Sequence, residues 1–165
     1  MKTHLEGRDI EFTIEEEIKF ELLLKIFKEK NAQLNLSAIR EDDDIIQKHF
    51  IDSIYLNIFI ELTGKVADLG TGGGFPLLPL AITNPDVQFV WIDSVWKKIR
   101  AVDEFVEQLE LTNVTTISDR FEMLGQDPNY RESYDFVVSR ATAYFPTLLE
   151  YAIPLLKVDW YFIAY

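Results

Sequence analysis

The stretch Val66-Ala67-Asp68-Leu69-Gly70-Thr71-Gly72-Gly73-Gly74-Phe75-Pro76 constrains this chain more than any other. An apolar strand runs into an acidic residue, glycine then recurs at every second position, and a helix begins. Glycine has no side chain to hold a ligand away and accepts positive φ, so such a turn lets backbone approach a bound group closely. The spacing also discriminates between ligands. A dinucleotide fingerprint requires G-x-G-x-x-G, but counting from Gly70 the third glycine position is Phe75, and counting from Gly72 it is Leu77.

Beyond the loop, short apolar runs alternate with helical stretches. Val66–Leu69, Val87–Ile92, Val114–Ile117, Phe136–Ser139 and Trp160–Tyr165 are expected strands. Phe75–Ile82, Val95–Leu111, a short turn at Arg120–Leu124 and Phe145–Leu156 are the helices between them. This alternation predicts an α/β fold, a parallel sheet with helices on both faces, whose ligand site lies at the carboxyl ends of the strands. Before it, Thr13 with Glu16 forms a capping box for a helix with apolar residues at a period near 3.6. Asn31 to Asn35 breaks that pattern. A second helix follows the acidic cluster Glu41-Asp42-Asp43-Asp44, whose charges suit a helix N-terminus. The chain is therefore read as one domain, a helical extension over 1–62 and a core over 63–165.

The 165 residues carry a net charge of −12, which argues against broad, non-specific attraction to nucleic acid while leaving room for a local basic patch. With no cysteine and only His4 and His49, no metal site is expected. No apolar run is long enough to span a membrane and the start is polar, so a cytoplasmic location is expected. His49, between apolar neighbours on a helix, is read as a satisfied packing residue.

What the loop does match is D-x-G-x-G-x-G, the pattern of S-adenosylmethionine (SAM) enzymes. The second strand ends in Asp93, 23 positions after Gly70. An acid about 20 residues beyond a glycine loop is placed for the ribose hydroxyls of a nucleoside; a helix cap is the competing role for such an Asp.

Six blocks together carry a family resemblance. Asn35-Leu36-Ser37-Ala38-Ile39-Arg40, Lys48-His49-Phe50-Ile51-Asp52-Ser53, the loop from Asp68 to Pro76, Asp93-Ser94-Val95-Trp96-Lys97-Lys98, Arg120-Phe121-Glu122 and Ser139-Arg140-Ala141 occur in order. In this the chain resembles the glucose-inhibited division protein B family, bacterial methyltransferases that act on guanine N7 in small-subunit ribosomal RNA. The resemblance implies a Rossmann-like SAM-dependent methyltransferase fold. It also implies a cofactor site at Gly70, Phe75, Phe121, Glu122 and Arg140, to which the reading of the loop and its spacing adds Asp68, Gly72 and Asp93. With the resemblance, Phe75 and Phe121 are expected to border the adenine, Phe121 through its ring or its backbone, and core packing is the competing role for both rings. Arg140 is expected at the methionine carboxylate or the RNA, because its planar fork suits either anion. Lys97, Lys98 and Arg120 are the expected RNA contacts on a shared rim.

Guanine N7 has an in-plane lone pair and no proton, so no acid or base is assigned. The family normally continues past the fifth strand with a Lys-Gly pair, a helix and two closing strands. An apolar strand at Trp160–Tyr165 would then lie at a sheet edge, an association hazard. A truncated, non-catalytic SAM- or RNA-binding module and a self-associating form stand as alternatives to the enzyme.

Overall fold

The computed structural model describes residues 2–5, 8–70, 72–140 and 143–165, with side chains from residue 11 onward. Two short antiparallel strands, β1 (Lys2–Leu5) and β2 (Arg8–Glu11), open the chain, where the sequence suggested only a polar start. Helix α1 (Ile14–Leu34) begins as expected. The Glu16 N–H donates to Thr13 Oγ1 at 3.2 Å, and Glu16 Oε2 accepts from the Thr13 N–H at 2.7 Å. The helix runs through Asn31, the expected break, and ends on Asn35 in the left-handed region. Asn31 does not interrupt it because its buried amide is satisfied outside the helix. Nδ2 donates to the Ile39 carbonyl at 3.1 Å, and Oδ1 accepts from the Ser37 N–H at 2.8 Å.

A single helical segment follows. It consists of α2 (Asp42–Ile45), a π-helical stretch Ile46–Ile51, α3 (Asp52–Ile54) and a 3-10 turn Tyr55–Ile58. The acidic cluster forms its first turn, with Glu41 as N-cap, instead of preceding it. The wider π turn brings three consecutive residues inward, His49, Phe50 and Ile51, all buried.

The main sheet contains β3 (Lys65–Leu69), β4 (Gln88–Asp93), β5 (Val114–Ser118), β6 (Tyr134–Ser139) and β7 (Leu156–Ala164), all parallel, in the order β5-β4-β3-β6-β7. The connecting helices are α4 (Leu77–Thr83), α5 (Trp96–Gln108), α6 (Phe121–Leu124) and α7 (Phe145–Ala152). Alternate residues of each strand point to opposite faces, and this divides the core in two. Val66, Phe89, Trp91, Phe136 and Val138 pack beneath α1, α4, α5 and the 42–58 segment. Ala67, Leu69, Val90, Ile92 and Val137 face α6 and α7. Helix α1 thus contributes to the same core as the sheet, with Leu23 and Phe27 fully buried.

Strand β7 is the least regular. Its register against β6 slips by three residues between the pairs Tyr134↔Leu156 and Phe136↔Tyr161. Among the described residues, no helix is long and apolar enough to cross a membrane.

Candidate cofactor site

Strand β3 pairs with β4 on one side and β6 on the other. The chain reverses its direction of travel across the sheet there, which opens a crevice above the carboxyl ends. The glycine loop occupies this position. Gly72 and Gly74 have φ of +69° and +88°, in the left-handed region that disfavours a side chain. The loop is also held from behind. A Cβ on Gly74 would lie 2.6 Å from Leu78 Cδ1, and one on Gly73 would lie 2.9 Å from Phe27 Cε2. The buried Asp68 carboxylate accepts from the Leu77 N–H at 3.2 Å, tying the end of β3 to the start of α4. Thr71 lies outside the described residues.

Phe75 corrects an expectation. Its ring is 1 % exposed and sits within the core. It stacks on His49 at 4.5 Å and meets Phe27 edge-on at 4.9 Å. The apolar preference that suggested an adenine wall is met by these protein rings, so Phe75 offers the loop its backbone only.

His49 links blocks that are distant in sequence. Its Nδ1 lies 3.0 Å from the Arg140 guanidinium and its Nε2 lies 2.8 Å from Ser37 Oγ. Arginine only donates, so Nδ1 accepts, the proton sits on Nε2, and Ser37 Oγ accepts from it. Burial first, then the adjacent Arg140 charge, lowers the His49 pKa to about 4. Arg140 further donates to the Lys48 carbonyl at 3.1 Å and to Asp52 Oδ2 at 3.2 Å, and its guanidinium lies 5.8 Å from the Phe75 ring centre. The fork expected to meet a ligand anion therefore holds the 42–58 segment against the end of β6. Ser139, beside it, donates to the Leu69 carbonyl at 3.1 Å, joining the carboxyl ends of β6 and β3. Ala141 falls outside the described residues.

The other half of the crevice is open. Ser94, Arg120, Phe121, Glu122, Ala143 and Tyr151 line a pocket of about 330 Å³ at the ends of β4 and β5. Phe121 is half-buried and packs on Tyr151 at 5.3 Å. Burial and the Glu122 carboxylate raise the Tyr151 hydroxyl above its ordinary range. Asp93, the last residue of β4, immediately precedes Ser94 of this lining and is 4 % exposed. Its Oδ1 accepts from the Val95 N–H at 2.8 Å, and its Oδ2 faces the Lys98 ammonium at 3.7 Å. It braces the turn from β4 into α5 and keeps one oxygen directed at a cation.

The expected basic rim divides. Lys98 pairs with Asp93, Arg120 belongs to the open pocket, and Lys97 turns towards α1 with Arg100. Sequence reasoning did not single out Ser37, Asn31 or Tyr151. For Ser37 the available signal was its place in the Asn35–Arg40 block.

The family model for GidB, rRNA small subunit methyltransferase G, matches residues 16–165. The chain belongs to this family. It is 40% identical over 161 residues to Ribosomal RNA small subunit methyltransferase G of Clostridium novyi, covering 96% of this chain and 66% of that protein. Its counterpart in Deinococcus radiodurans is 46% identical over 150 residues, covering 90% of this chain and 59% of the relative. The chain thus spans a little under two thirds of the length of these relatives. Among solved structures, a putative caffeoyl-CoA O-methyltransferase from Staphylococcus aureus superposes with a TM-score of 0.58 at 16% identity, over 92% of this chain and 73% of that one. PKMT2 from Rickettsia typhi, solved in complex with AdoHcy, gives 0.50 at 25% identity, over 59% of this chain and 19% of that one. The fold is that of the SAM-dependent methyltransferases.

Proposed function

We propose that this chain binds SAM in the crevice above β3, β4 and β6 and transfers its methyl group to N7 of a guanine in small-subunit ribosomal RNA. Family membership supports the reaction. The observation that carries the cofactor is the open pocket at the carboxyl ends of β4 and β5, on the β4 side of the strand that leads into the glycine loop. An aromatic pair, Phe121 and Tyr151, lies there with the Glu122 carboxylate, and Asp93 ends β4 immediately before Ser94 of the lining. Flat apolar walls suit a purine, and carboxylates accept from ribose hydroxyls.

In this reading Asp93, Phe121 and Glu122 hold the nucleoside. Gly70 and Gly72 bring backbone to the methionine end, with Asp68 and the backbone of Phe75 fixing the loop. Arg140 positions that loop through His49. When bound, SAM supplies a methyl carbon already activated by its sulfonium. Guanine N7 presents a lone pair without a proton, so the chain's task is alignment and exclusion of water. Arg120 and Lys97 are the proposed phosphate contacts, and Lys98 acts by orienting Asp93.

Calorimetry with SAM, its demethylated product and NAD tests the cofactor assignment. Saturable binding of the first two alone is expected; NAD binding, or no binding of SAM, overturns it. Methyl incorporation into small-subunit RNA, with the product base identified, tests the reaction.

A second reading, self-association through β7, is favoured by Val158, Trp160 and Tyr161, which are 77 %, 39 % and 60 % exposed on the edge strand. Sedimentation velocity across a concentration series checks it, and a concentration-independent monomer excludes it.

A further inference from the structure

Helix α5 presents Lys97, Arg100, Ala101 and Glu104 on one face, at the i, i+3, i+4, i+7 spacing that aligns side chains along a helix. Opposite them stand Lys30, Gln33 and Leu34 from the last turns of α1, and the two rows enclose a groove of about 260 Å³. Lys30 is paired with Glu104 across it. Just past the end of α1, Arg40 donates to Asn35 Oδ1 at 2.7 Å. The groove walls hold three cations and one carboxylate, in a chain whose overall charge is −12. Trp96, the first residue of α5, is 62 % exposed and precedes Arg100 by one helical turn. A large aromatic side chain left in solvent beside free cations is the combination that binds unpaired bases and the phosphates between them.

The groove opens at the carboxyl rim, since α5 starts directly after Asp93 and the Asn35–Arg40 segment lies against the glycine loop, where a Cβ on Gly72 would come within 3.5 Å of the Leu36 carbonyl oxygen. We propose that the α1–α5 groove carries single-stranded RNA away from the methyl-transfer site, with a base stacked on Trp96 and its neighbouring phosphates on Lys97 and Arg100. This rests on the proposed RNA substrate and adds a direction and a strandedness to it. Duplex RNA fits poorly, because its bases are already stacked and cannot cover the indole.

The test uses the 165-residue chain and a short mixed-sequence oligoribonucleotide, single-stranded or annealed into a blunt duplex. Trp91 is fully buried but Trp160 is 39 % exposed, so emission is read in a Trp160→Phe background, the wild type of this assay, where quenching of the exposed indole reports on Trp96 and is checked against Trp96→Phe. Single-stranded RNA is expected to quench the wild-type emission, and the quenching should disappear in W96F. Trp96→Ala should weaken binding roughly tenfold. The double variant Lys97→Ala/Arg100→Ala should reduce the slope of log affinity against log salt by about 1.4. Equal quenching by the duplex, quenching that survives in W96F, an unchanged salt slope, or displacement of the RNA by poly-glutamate would each overturn the groove assignment. A SAM titration of the wild-type chain reads the cofactor proposal separately, so either can fail without the other.

Discussion

His49 lies flat on Phe75, their ring centroids 4.5 Å apart and their planes 4° from parallel. This stack joins the 42–58 helical segment to the residue that closes the glycine loop, and it works with an uncharged imidazole. Protonation would set a cation against the Arg140 guanidinium, 3.0 Å away.

The pH dependence of stability follows. The His49 pKa is lowered from 6.5 to about 4 in the folded chain, so between these values the unfolded state binds more protons. Its contribution to stability is complete above pH 6.5 and declines as pH falls towards 4. Thermal melts should show a decrease in Tm from pH 6.5 to 5 in the wild type that is smaller in His49→Gln. Parallel curves for the two proteins would contradict this.

Two glycine substitutions should separate strain from collision. Gly72→Ala meets only the Leu36 carbonyl oxygen, at 3.5 Å, so the left-handed backbone alone should cost about 1–2 kcal/mol. Gly74→Ala adds a clash with Leu78 at 2.6 Å and should lose a further 1 kcal/mol or more, roughly. Urea midpoints read both.

Arg140→Lys should not behave as a conservative change. A single ammonium cannot reach the Lys48 carbonyl, Asp52 and His49 in the same planar geometry. A loss of about 1–3 kcal/mol is expected, together with weaker SAM binding. Chemical denaturation alongside calorimetry would show whether the two losses travel together.

Much of this arrangement was legible in the residues. The five strands, the helices between them and the turn from β3 into α4 follow from apolar runs and glycine punctuation, which act over short distances. The Arg140–His49 contact spans 91 residues, and no local pattern reports it. The division of Lys97 from Lys98 could have been read from helix phase, since adjacent residues face different sides. Phe75 misled because an aromatic ring beside a ligand loop and one inside a core have the same sequence signature. Only the position of α1, which brings Phe27 against it, separates the two.

Tyr134 supplies an opposite expectation. Its hydroxyl is buried with no hydrogen-bond partner among the described residues, and burial raises its pKa to about 12. Tyr134→Phe removes an unsatisfied polar group and should leave Tm unchanged or raise it. A clear decrease would reveal a partner for that oxygen.

Phe121→Ala should weaken SAM binding roughly tenfold by removing one wall of the open pocket. The folded chain should lose little stability, because Phe121 is only half-buried against Tyr151. Titration at matched protein stability distinguishes the two effects.

Tyr165 donates its hydroxyl to the Ser53 carbonyl at 2.8 Å and its backbone N–H to the Ser139 carbonyl at 3.0 Å, so the segment that steadies Arg140 is itself fastened by a residue 112 positions later. Contacts of such separation form late, after the loop-closure entropy has been overcome. During synthesis from the N-terminus, the glycine turn and its flanking strands can emerge and pair while the crevice above them is still unassembled. The fastening of the 42–58 segment against the end of β6 is completed only when β7 has paired, so a nascent chain stalled before β7 would have the glycine turn without that clasp.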